Sequence, residues 1–116
     1  MQYMLLIYED ERINGGPEKN GPVLQEMMAK HMGFAPTLGS ARKGGAGLKG
    51  TVSATTVRGG NGKRTVHDGP FAETKEQLGG YYLVDVPDLD AAIAIAERLP
   101  LSPGGAVEIR GLLRGE

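Results

Sequence analysis

The residues best suited to chemistry fall in one segment, His67-Asp68-Gly69-Pro70-Phe71-Ala72-Glu73-Thr74-Lys75-Glu76-Gln77, which runs on into Leu78-Gly79-Gly80-Tyr81. A turn that only reverses the chain needs a few small residues. This one also carries histidine, aspartate, glutamate and lysine, which bind protons, anions or metal ions. Binding residues concentrate on loops held by a rigid scaffold. A second histidine, His31, lies on the stripe Leu24, Met27, Met28, His31, Ala35 and Leu38. Spacings of three and four put that stripe on one helix face. A histidine facing the core is desolvated, and its ring nitrogens need partners. One reading of His31 is a half-buried core residue satisfied by a backbone carbonyl. The other is an imidazole beside a carboxylate, which fixes the tautomer, raises the pKa towards neutrality and lets the pair move a proton.

Each remaining candidate has a plain structural reading as well. Asp68 precedes Gly69-Pro70, which is common turn chemistry. His67 ends a strand and points away from Asp68 if the strand extends that far, which makes it a surface residue. Glu73, Lys75 and Glu76 fit one short helical turn, either as a solvated, salt-bridged loop or as ligand contacts. Phe71 suits a loop anchor packed into the core. Tyr8, Tyr81 and Tyr82 suit a pocket lining, the core or a dimer interface. Arg58 and Arg110 meet an anionic ligand or face solvent. No His-x-x-His spacing supports a metal site, and no serine or cysteine nucleophile stands at a motif position. Gly44-Gly45-Ala46-Gly47 and Gly59-Gly60-Asn61-Gly62 do not fit nucleotide-binding spacings, so no cofactor is expected.

The stretch Asp68-Gly69-Pro70-Phe71-Ala72-Glu73-Thr74-Lys75-Glu76, followed by Gly79-Gly80-Tyr81, resembles the signature of DGPF-domain proteins of the YCII-related superfamily. The likeness takes in the opening Met1 to Tyr8, the helix with His31, the signature loop and the closing Ala106 to Arg110. In that superfamily a helix histidine in this place pairs with an aspartate in the loop that carries Gly-Pro. The resemblance therefore implies a His31–Asp68 acid/base pair. Glu73 and Lys75, as part of the signature, are candidate ligand contacts, with Tyr8 and Phe71 beside them. The resemblance implies a site, not a reaction; a His31–Asp68 pair over a partly apolar pocket suits a small-molecule enzyme of proton transfer, of an isomerisation, elimination or dehalogenation type, such as related dimeric α+β barrels host. The alternative is a non-catalytic ligand sensor or regulatory partner, since genes for DGPF-type proteins often lie beside those of extracytoplasmic-function sigma factors.

The elements that must position these residues follow from pattern. The 116 residues suit one domain, 1–116. A net charge of −1, from 13 basic and 14 acidic residues, gives no electrostatic case for nucleic acid or an anionic membrane. The absence of cysteine fits a cytoplasmic location. Tyr3 to Tyr8 is an apolar run too short to span a membrane and reads as a buried strand. Pro22 opens a helix that Pro36 ends near Phe34–Ala35. Lys43 to Gly50 reads as a glycine-rich connection. Thr51 to Arg58 and Lys63 to His67 form a hairpin around Gly59-Gly60-Asn61-Gly62. Gly80 to Val86 is a strand with Tyr82, Val84 and Val86 on one face. Asp88 caps a second helix, which Pro100 closes. Ala106 to Leu113 is the last strand. With the hairpin set aside as an insertion, the pattern is α+β and ferredoxin-like, with two helices on one face of an antiparallel sheet. The other face is left bare, and burying it against a second copy makes a homodimer, the dimeric α+β barrel that the resemblance also implies.

Overall fold

Apolar side chains alternate along the first strand, β1 (Gln2–Asp10), of the computed structural model, which describes residues 1–114. Tyr3, Leu5 and Ile7 are buried on one face, and Met4, Leu6 and Tyr8 are half-buried on the other. Pro22 then opens α1 (Pro22–Phe34), at a position whose N–H has no helical partner to lose. Pro36 stops the helix, and the chain tightens into a 3-10 segment, Ala35–Ala41. β2 (Arg42–Gly47), β3 (Thr55–Gly59), β4 (Arg64–Asp68), β5 (Glu76–Asp85), α2 (Leu89–Arg98) and β6 (Ala106–Gly111) complete the order.

Four strands form one sheet in the order β2-β5-β1-β6, and every neighbouring pair is antiparallel. That is the ferredoxin-like arrangement of a β-α-β-β-α-β chain. β3 and β4 pair only with each other, as a hairpin outside the main sheet. Both helices cover the same face. Phe34 and Ala35 from the end of α1, and Ala92, Ile95 and Leu99 from α2 and its end, pack with Leu5, Ile7, Tyr82 and Val84. The Asp88 side chain accepts a hydrogen bond from the Ala91 N–H at 2.9 Å and fixes the start of α2.

Local differences from the sequence reading have simple causes. β2 occupies part of the stretch expected as a connection, because glycine has no side chain with which to display alternation. The strand expected from Thr51 begins instead with a 3-10 turn, Thr51–Ser53, held by the Glu11 carboxylate, which accepts from the Thr51 N–H and hydroxyl at 2.9 and 2.6 Å. No helical turn forms over Glu73–Glu76, because Glu76 already pairs with Asp10 at the start of β5. Among the described residues, no helix is long and apolar enough to cross a membrane.

Candidate functional site

A cavity of about 490 Å³ separates α1 from the sheet. The helix contributes Leu24, Met27, Met28 and His31 to its wall, and the sheet contributes Ile7, Glu9, Gly79 and Tyr82. The part of the stripe on α1, Leu24 to His31, therefore faces a cavity, whereas Ala35 and Leu38 beyond it pack into the core, and Met27 is the only buried residue of α1.

His31 and Tyr82 meet across this cavity. The His31 Nδ1 lies 2.8 Å from the Tyr82 hydroxyl, and the two rings stack with centroids 5.8 Å apart at 28°. Phe34 meets the Tyr82 ring edge-on at 5.9 Å, which fixes its plane. Burial pushes the His31 pKa below its usual value, and the Glu9 carboxylate and the Pro100 carbonyl oppose that push only in part. The raised value expected of an imidazole beside a carboxylate does not arise within the chain, where desolvation disfavours the imidazolium more than its neighbours favour it. Burial likewise pushes the Tyr82 hydroxyl up, while the Arg42 guanidinium, 5.8 Å from the ring centroid, pulls it down. The imidazole is thus poised as a neutral base in contact with a phenol, a pairing able to take up or return a proton.

Glu9 and Asn14 stand at the inner wall. Both are buried, and the Asn14 side-chain N–H donates to Glu9 Oε2. The Ser102 hydroxyl donates to the same oxygen at 3.3 Å. Lys19, beside them, donates to the Leu48 and Gly79 carbonyls at 2.9 and 3.2 Å, tying the loop after β1 to β5. Among the described residues, no three His, Asp or Glu side chains gather closely enough to share a metal ion.

The residues singled out from sequence are scattered. His31 lines the cavity. Asp68 ends β4, exposed and opposite Thr55; it is not part of the cavity wall, and among the described residues no hydrogen bond or ion pair joins it to His31. His67 is exposed beside it, opposite Thr56. Glu73 and Lys75 border a second, shallower depression with Asp10, Arg12 and Thr51. There the Arg12 side chain, bonded to the Asp10 carboxylate at 2.7 and 3.0 Å, lowers the Asp10 pKa to about 2, with a smaller pull from Lys75. Phe71 is no core anchor. It is 69% exposed on the hairpin side, with the Arg58 guanidinium 4.5 Å from its ring centroid and donating to its carbonyl at 3.1 Å. Tyr8 sits half-buried on the face of the sheet away from the helices, and Arg110 is exposed opposite Met4.

Sequence reasoning passed over Glu9, Asn14 and Lys19. The inward position of Glu9 was available, since it continues the alternation of Tyr3, Leu5 and Ile7. Asn14 and Lys19 lie in a loop without periodicity, and nothing marked them.

A family model described as YCII-related domain matches residues 1–114. An uncharacterized protein of Rhizobium meliloti (strain 1021) is 38% identical over 118 aligned residues, which cover 97% of this chain and 92% of the relative.

Proposed function

This chain belongs to the YCII-related family, and we propose that it is a small-molecule enzyme that moves a proton in the cavity beneath α1. The observation that carries this reading is the 2.8 Å contact between His31 Nδ1 and the Tyr82 hydroxyl on the wall of a cavity of about 490 Å³. In the proposed step the Tyr82 O–H donates to His31 Nδ1. The substrate gives a proton to the phenol oxygen as the phenol proton passes to the imidazole. The imidazole becomes imidazolium, and the electron pair stays on the substrate as an enolate-like anion. Arg42, close to the Tyr82 ring, stabilises that negative charge. Return of the proton to a different atom completes an isomerisation, and loss of a leaving group completes an elimination. The depressed pKa of His31 keeps it in its base form at neutral pH.

Asp68 stays in the reading as the residue that the family resemblance pairs with His31. The working form is proposed to be a homodimer that covers the bare face carrying Met4, Leu6, Tyr81 and Leu83.

A metabolite-library thermal-shift screen on wild type, His31→Ala, Tyr82→Phe and Asp68→Asn tests the proposal, because binding to the native state raises the melting temperature. Compounds that stabilise wild type but not the His31 and Tyr82 variants support it. Compounds that stabilise all four proteins alike argue for a ligand sensor in which the pair has no chemical role. The Asp68 variant reports separately whether that carboxylate joins the pair.

A further inference from the structure

Glu9 is a carboxylate placed where β1 would otherwise carry an apolar side chain. It is 6% exposed and lines the cavity. Oε2 accepts from Asn14 and Ser102, whereas Oε1 has no hydrogen-bond partner among the described residues. No cation forms an ion pair with Glu9 among those residues. Asn14, 3% exposed, lines the same cavity; its amide N–H is engaged by Glu9, and its carbonyl oxygen, Oδ1, is buried without a partner. A buried acceptor left unpaired is costly, and a buried anion outside any direct ion pair more so.

The neighbouring lysine does not resolve this. The Lys19 ammonium is held by the Leu48 and Gly79 carbonyls. A Cβ at Gly79 would stand 3.3 Å from Lys19 Nζ and 3.9 Å from the Glu9 carboxyl carbon, so the bare glycine leaves the space between the two charges open.

Resting on the small-molecule reading of this cavity, we infer that its inner end is a subsite for a protonated amine on an otherwise apolar ligand. An ammonium offers only donors, which matches the unpaired Oε1 of Glu9, and its charge neutralises the carboxylate. A carboxylate or phosphate at this point meets Glu9 with like charge. An alcohol brings a single donor and no charge. The walls beyond the subsite, Ile7, Leu24, Met27 and Met28, are apolar, and the flexible methionines adapt to chains of varied shape.

Calorimetric titration of the full chain at neutral pH with n-hexylamine, n-hexanol and hexanoate tests the inference. Hexylamine is expected to bind wild type about tenfold more tightly than hexanol, the scale of a charge-assisted hydrogen bond, and Glu9→Gln is expected to erase that difference. Equal or tighter binding of hexanol or hexanoate overturns the amine subsite while leaving the cavity reading in place. No binding of any of the three overturns both. If Glu9→Gln fails to fold, a crystal structure of wild type with hexylamine decides. Nitrogen within hydrogen-bond distance of Glu9 Oε1 supports the subsite, and water alone there overturns it.

Discussion

Tyr82 and His31 are joined twice, by the 2.8 Å contact between hydroxyl and Nδ1 and by ring stacking at 5.8 Å. The first contact is chemical and the second is packing, so they can be separated. Tyr82→Phe keeps the ring and its edge contact with Phe34 while deleting the hydroxyl. The variant is expected to fold and to lose about 1 kcal/mol in urea unfolding, the usual net value of one hydrogen bond. Once a substrate is in hand, turnover is expected to fall about a hundredfold or more, as for loss of a positioned acid or base. Undiminished turnover in Tyr82→Phe would remove the phenol from the mechanism.

The lowered pKa of His31 carries a signed prediction. Its folded value lies below 6.5, the ordinary value of an imidazole in water, because burial disfavours the charged ring. The unfolded chain therefore binds more protons than the folded one between the two values. The stabilising contribution of the neutral ring is complete above pH 6.5 and is lost as pH falls through the folded pKa, below which it levels off. An NMR titration of the His31 Cε1 proton should give a midpoint below 6.5. Melting temperatures recorded against pH should show the matching slope in wild type and not in His31→Ala. A midpoint above 6.5 would mean that a carboxylate in solution outweighs burial.

Gly50 is where the loop after β1 is pinned. A Cβ there would lie 1.6 Å from the Pro17 carbonyl oxygen and 2.6 Å from its carbon, so the backbone itself must move. The displaced loop carries Asn14 and Lys19, both on the cavity wall. Gly50→Ala is expected to cost about 1–3 kcal/mol, the range for overpacking a filled site. A urea midpoint equal to wild type would show that the loop shifts freely, and the inner wall of the cavity would then not be rigid.

Much of this arrangement was legible because it obeys a period. The alternation of β1, the stripe that holds His31, and the placement of Tyr82 with Val84 and Val86 all follow from side-chain direction in strands and helices. Read together, they put His31 and Tyr82 on facing surfaces. β2 escaped because Gly44, Gly45 and Gly47 carry no pattern. Glu9 obeyed the strand period, but its charge argued for the end of the strand. Phe71 misled in the opposite sense: an aromatic residue in a charged loop suggests an anchor, yet its ring is covered only in part, by the Arg58 guanidinium. Asp68 and its neighbours were conspicuous by composition, and composition does not report which surface a loop faces.

The face of the sheet opposite the helices sets the last prediction. Met4 lies opposite Leu83 and Leu6 opposite Tyr81, all half-buried with no layer over them among the described residues. The radius of gyration is 15.5 Å, against about 13 Å for a compact chain of this length, so the monomer is more open than its size requires. Two such faces packed together would remove a continuous apolar strip from water. Wild type is therefore expected to sediment at twice the 12.3 kDa of one chain. Leu6→Glu places like charges on both facing surfaces without touching the buried side of β1. It is expected to yield a folded monomer, checked by sedimentation together with circular dichroism. A wild type that sediments as a monomer, or a Leu6→Glu variant that stays dimeric, would move the contact to another surface.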